Sequence, residues 1–141
     1  MNGSSATRTG HGMVTALVIP PGTAYPITLV ALEDSTPAIA EAVGTGRVDD
    51  EQLTTCTGTA IAVHLDDHAD RDGGPAGGNE RAAAVLARLG VERREVLARL
   101  HGTVVITGRG PWGADTCVPP EVLTQGGAQQ RCGLETSWPR G

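Results

Sequence analysis

Phenylalanine and lysine are both absent, and aromatic residues make up only 2% of the chain. Tyr25, Trp112 and Trp138 are its only aromatics. Any core must therefore be aliphatic. The stacking platforms that single-strand nucleic-acid binders use are missing as well. All 11 basic residues are arginine, and the formal net charge is −5. Without a basic stripe, broad binding to duplex nucleic acid is excluded, because that affinity comes mainly from phosphate neutralisation. No CxxC pair occurs, which removes a zinc-knuckle reading. The three cysteines, Cys56, Cys117 and Cys132, are odd in number and irregular in spacing, so they form no disulfide framework. No apolar run approaches a membrane span. The opening MNGSSATRTGHG lacks the apolar region of a secretory signal. The expectation is a cytoplasmic protein with no membrane contact.

What is present suits one domain. The chain has 141 residues with 39% hydrophobic content, enough for a lean core. Its 20 glycines and 9 prolines fall in clusters between apolar runs and so mark loops. The strongest local signal is GGPAGGNERAAAVLARLG, Gly73 to Gly90. Asn79 is placed to cap a helix, its side-chain oxygen accepting a free backbone N–H. Ala82, Val85, Leu86 and Leu89 then recur at i, i+3, i+4 and i+7, an inward apolar stripe. Gly90 supplies the left-handed residue that ends such helices.

Around this helix the pattern alternates between strand and helix. Val14 to Ile19 reads as a buried strand stopped by Pro20-Pro21-Gly22, and Tyr25 to Leu32 as its antiparallel partner across a short connection. Thr36 and Pro37 open a short helix, Thr36 as cap and Pro37 at the first helical position, and Gly44 ends it. In Arg47 to Thr55, Asp49-Asp50-Glu51 suggests a turn between two extended pieces. Gly58 to Leu65 reads as a strand with Ile61, Val63 and Leu65 on one face. Glu92 to Leu100 suits a short helix or an entry to a strand. His101 to Thr107 contains the continuous run Val104-Val105-Ile106, suited to a central strand buried on both faces. Asp115 to Val118 suggests a last edge strand, and Pro119 to Leu123 a helical turn. The order predicts a single α+β domain: a mostly antiparallel sheet of about five strands with two or three helices on one face. Residues 13–125 would form it, between a disordered leader at 1–12 and a flexible tail at 126–141. Met13 could serve as a second start.

Several short motifs recur here in one order: ALVIPPG, the helix ending AVGTG, Asn79-x-x-Ala82, HGTVVITG and VPPEVL. In that order they resemble a small domain family of unknown function, numbered DUF three-eight-four-six, of bacteriophages, actinobacteria and mobile elements. The resemblance covers Met13 to Gln125 and rests on Asn79, Ala82, Gly102, Gly108, Asp115 and Pro119. The Gly73–Gly78 loop and both tails depart from it. It implies no catalytic residues and no cofactor. It implies an accessory protein acting in a host bacterial cell, with a counter-defence or regulatory role.

Three constellations are candidates for function. The first joins two glycine loops. Gly77, Gly78, Asn79 and Arg81 would offer helix-start N–H groups and positive charge, and Arg109 and Trp112 in GRGPWG would add a guanidinium and an apolar face. Together they would bind a host protein or a small anionic, nucleotide-like ligand. The loop is no P-loop, since Asn79-Glu80 stands where Lys and Ser or Thr are needed. Nor do its glycines fit a dinucleotide fingerprint. Glu80 in the first turn would repel an anion that Arg81 attracts. The second is HLDDHADRDGG, in which His64, Asp67 and His68 are the metal-ligand alternative of a small hydrolase. It lacks HExxH, and as a calcium loop it would place His68 first and Asn79 twelfth, so an ordinary solvated acidic loop competes with it. The third needs the fold to bring His101 to a cysteine as base and nucleophile, and no family signature surrounds any cysteine.

Overall fold

The structure is a computed structural model and describes residues 12–67, 78–111 and 113–126. Its elements are β1 (Met13–Ile19), β2 (Thr28–Glu33), α1 (Thr36–Val43), β3 (Val48–Thr54), β4 (Ala60–Asp66), α2 (Glu80–Arg88), α3 (Arg94–Leu97), β5 (Val104–Arg109), β6 (Asp115–Thr116) and α4 (Pro120–Gly126). The six strands form one sheet in the order β2-β1-β5-β4-β3, with β6 alongside β5. Every pairing is antiparallel. This is the expected α+β domain with the expected antiparallel sheet.

Both faces of the sheet are covered. On one, Leu17, Ile19, Ile61, Val63, Leu65, Val104 and Ile106 pack against α2, α3 and α4 through residues such as Leu86, Val96 and Val122. Three helices therefore share this face, as the periodicity predicts, and the Ala82–Val85–Leu86–Leu89 stripe is wholly buried. On the other face Ala16 and Val105 meet Ile39 and Val43 of α1. Strand β5 lies in the middle, and Val104 to Ile106 are fully buried because both neighbours and both faces are occupied.

Local chemistry departs from expectation at two places. The cap of α1 is Ser35, not Thr36. Ser35 is extended (φ −148, ψ 150), and its hydroxyl accepts from the Ala38 N–H at 3.3 Å. The helix thus begins one residue early, and Pro37 falls at its second position. The acidic run at 49–51 is no turn. It lies inside the continuous strand β3, where Asp49 and Glu51 both meet Arg99, at 2.8 and 2.9 Å, while Asp50 meets Arg109. Alternating faces give the carboxylates two separate arginine partners distant in sequence.

Gly108 explains how β6 approaches β5. A Cβ there would lie 2.4 Å from Thr116 Oγ1 and 2.5 Å from the Cys117 carbonyl oxygen. Gly108→Ala is expected to cost about 1–3 kcal/mol, the usual range for overpacking, measured by denaturant unfolding. The accompanying NMR shifts should centre on Asp115 to Cys117; shifts centred elsewhere would refute this account.

Candidate functional site

Alternation along β5 sends Val105, Thr107 and Arg109 toward the α1 face. The register sets His64 of β4 opposite Val105 and Asp50 of β3 opposite His64. Asp115 of β6 pairs with Arg109. Five polar side chains from four strands thus meet on one face of the sheet.

Their hydrogen bonds interlock. The Thr107 hydroxyl donates to Asp115 Oδ1 at 3.1 Å. Its single proton is thereby used, so at 3.0 Å it accepts from His64 Nε2, which fixes the tautomer with the proton on Nε2. The same nitrogen lies 3.4 Å from Asp115 Oδ1. Arg109 Nη2 donates to Asp115 Oδ1 at 3.1 Å and to Asp50 Oδ2. Burial alone would raise the Asp115 pKa, but His64, Thr107 and Arg109 outweigh it and hold the carboxyl below the ordinary range. Burial likewise pulls on Arg109, and Asp50 and Asp115 outweigh it to keep the guanidinium charged. Thr107 is completely buried and His64 is 4% exposed, so the hydroxyl cannot reach a substrate as a nucleophile.

This network floors a cavity of about 290 Å³, lined by Asp34, Ser35, Thr36, Ile39, Val48, Asp49, Asp50, His64 and Asp115. A second cavity of about 580 Å³ shares Thr36, Val48 and Asp49 with it and extends to Arg47 and Asp67. The two make a groove between α1 and the edge strand β3. Its lining is acidic, with Pro37, Ile39, Ala40 and Val48 as the apolar part.

The residues singled out from sequence fall elsewhere or have other work. Asn79 is the expected cap, accepting from the Ala82 N–H at 3.0 Å. It is 2% exposed, and its Nδ2 donates to the Ile19 and Gly102 carbonyls, each at 2.8 Å. Arg81 Nη1 donates to the carbonyls of Pro20, Gly22 and Tyr25, tying the β1–β2 loop to α2. Arg109 belongs to the network above. Gly78 is exposed and bridges His101, before β5, whereas Gly110 and Gly113 follow β5. Of the two glycine loops, the described residues Gly78 on one side and Gly110 and Gly113 on the other thus lie at opposite ends of that strand. Gly77, Trp112 and His68 lie outside the described residues. Of the metal alternative, His64 faces Thr107 and Asp115, while Asp67 faces Arg47 and Arg99. Among the described residues no three His, Cys, Asp or Glu side chains are arranged to hold a metal ion. No helix among them is long and apolar enough to cross a membrane.

Sequence reasoning passed over Asp50, Thr107 and Asp115. The available signal was Thr107 and Arg109 at alternate positions running out of a buried strand, polar groups that need partners on that face.

No family model matches the chain, and no curated protein matches it. Among solved structures it is similar to the small RNA methyltransferase HEN1, with a TM-score of 0.54 and 17% identity over 83% of this chain. The match spans 16% of that chain, so the likeness is one of fold over a small part of a much longer protein.

Proposed function

We propose that this chain is a non-enzymatic binding module of the phage or mobile-element type that its motif order resembles, and that it recognises its partner through the groove between α1 and β3. What supports the reading is one observation: the two adjoining cavities, floored by a buried network whose members hold one another in place. A concave site on a rigid sheet is the common form of a recognition surface. Asp34, Asp49, Asp50 and Asp115 in the lining would repel phosphate, so a protein or cationic group suits the groove better than a nucleotide. The same carboxylates argue against carrying the RNA in the neighbour's name over to this chain.

NMR amide mapping with a panel of cationic, neutral and anionic fragments tests the proposal. Cationic fragments are expected to shift the amides of Ser35, Thr36, Val48 and Asp50. Thr36 is exposed and lines both cavities. Thr36→Trp should abolish those shifts with stability changed by no more than about 0.5 kcal/mol, as for most surface substitutions. Fragments that gather instead at Gly78–Arg81 or Gly110–Gly113, or a preference for anions, would overturn the reading.

A further inference from the structure

We propose that the outer edge of β3 accepts an extended, arginine- or lysine-bearing segment of a partner protein as an additional strand. This rests on the groove being the recognition surface and names its occupant.

The register decides which backbone groups are open. Asp67 N–H donates to the Arg47 carbonyl and Thr55 N–H to the Thr59 carbonyl, both at 2.9 Å. Arg47 and Thr55 flank β3, so its odd-numbered residues exchange bonds with β4. The even-numbered ones, Val48, Asp50, Gln52 and Thr54, turn their N–H and C=O outward. The Asp50 N–H is satisfied by Asp49 Oδ1 at 2.9 Å. That leaves the N–H groups of Val48, Gln52 and Thr54, all on the outward even-numbered positions, with the Asp50 rung between the first two already taken. The opposite edge of the sheet differs. On β2, Asp34 N–H donates to the Gly12 carbonyl, so Leu29, Ala31 and Glu33 face out. The Glu33 carbonyl already accepts from Ser35 N–H at 2.8 Å, and Leu29 is also partnered. One edge is blunted and the other is open.

Charge names the occupant. A second copy laid antiparallel on β3 would bring Asp49, Asp50 and Glu51 against the same acids, which sheet edges use to prevent self-pairing. Among the described residues, β3 and the two cavities beside it gather Asp34, Asp49, Asp50, Glu51, Asp67 and Asp115, with Arg47, Arg99 and Arg109 in ion pairs among them. An incoming strand with basic side chains supplies the missing charge. Its side chains would alternate between faces. On one face lie the two acid-lined cavities. On the other, beside Gln52 to Thr54, is a cavity of about 290 Å³ bounded by Gly90 to Arg93. Strand addition of this kind takes affinity from the main chain and selectivity from alternate pockets.

The test uses a short capped peptide alternating Arg with Thr, a Glu–Thr peptide of the same length, and free arginine amide, each titrated into the full chain. The Arg–Thr peptide should bind at least tenfold tighter than the Glu–Thr peptide and slow amide hydrogen exchange at Val48, Gln52 and Thr54. Gln52→Pro removes one outward N–H without touching the β4 ladder, and proline is tolerated on edge strands. It should weaken binding at least tenfold. Methylating alternate backbone nitrogens of the peptide, in the register that faces β3, should do the same with an unaltered protein. If the methylated peptide binds as well as the parent, or no β3 amide is protected, strand addition is wrong. If arginine amide alone shifts the groove amides as fully as the peptide, the groove reading stands and the strand does not. Equal binding of the Glu–Thr peptide would refute the charge argument.

Discussion

Asp115→Ala should destabilise the protein by about 3 kcal/mol, the lower end of the usual cost of removing one partner from a buried ion pair, because this pair is largely but not fully buried. The side chains of Asp115 and Arg109 are 12% and 11% exposed. Without Asp115, Arg109 keeps only Asp50, and the Thr107 hydroxyl loses its acceptor. Asp115→Asn keeps an acceptor but not the charge, and should cost less than the alanine. The pH dependence separates charge from packing. The folded pKa of Asp115 lies below its unfolded value. Its ionic contribution is thus fully present above the unfolded pKa, about 3.9 for aspartate, and is lost as pH falls through the folded pKa. Denaturant unfolding of wild type and Asp115→Asn should give a gap that is constant near neutrality and closes below about pH 4. A gap independent of pH would mean that Asp115 acts by shape alone.

Asn79→Ala is expected to cost on the order of 3 kcal/mol, roughly 12 °C in melting temperature for a domain of this size. Three bonds go at once. The α2 cap is worth about 1 kcal/mol, and each carbonyl left without a donor, on Ile19 and Gly102, adds about as much. Asn79→Asp isolates the second part. It keeps the capping oxygen and suits the helix dipole, yet it sets a carboxylate against two carbonyls that need a donor. By thermal melting it should be at least as unstable as the alanine variant. An Asp variant with wild-type stability would show that the cap alone matters.

How much of this was legible depended on the range of the interaction. The Asn79 cap, the α2 stripe and the left-handed Gly90 could be read because each is settled within one or two turns of chain. Strand β5 was readable because three aliphatic residues in a row have few other homes. The two bonds from Asn79 to Ile19 and Gly102 were not readable, since they depend on where α2 lands. The groove was less legible still. His64 sat in a run that looked like metal ligands, but its neighbours are set by β4–β5 register, 43 residues apart in the case of Thr107. Asp49-Asp50-Glu51 looked like a turn because acids favour turns when nothing opposite is known. Arg99 and Arg109 decide otherwise from 50 and 59 residues away. Arg81 and Arg109 looked available for a ligand for the same reason, and the fold commits both to internal acceptors.

The position of β5 also dictates the timing of assembly. β1 with β2, and β3 with β4, are hairpins of near neighbours in the chain, yet they touch in the sheet only through the strand at Val104–Arg109. While the chain is being synthesised, everything before that strand can build two separate half-sheets, each with a raw inner border. The joining strand then has to thread between them and pair on both sides. The largest entropy loss is thereby deferred to one late event, and a ribosome that stalls before Val104 would leave two sticky hairpins for chaperones to shield.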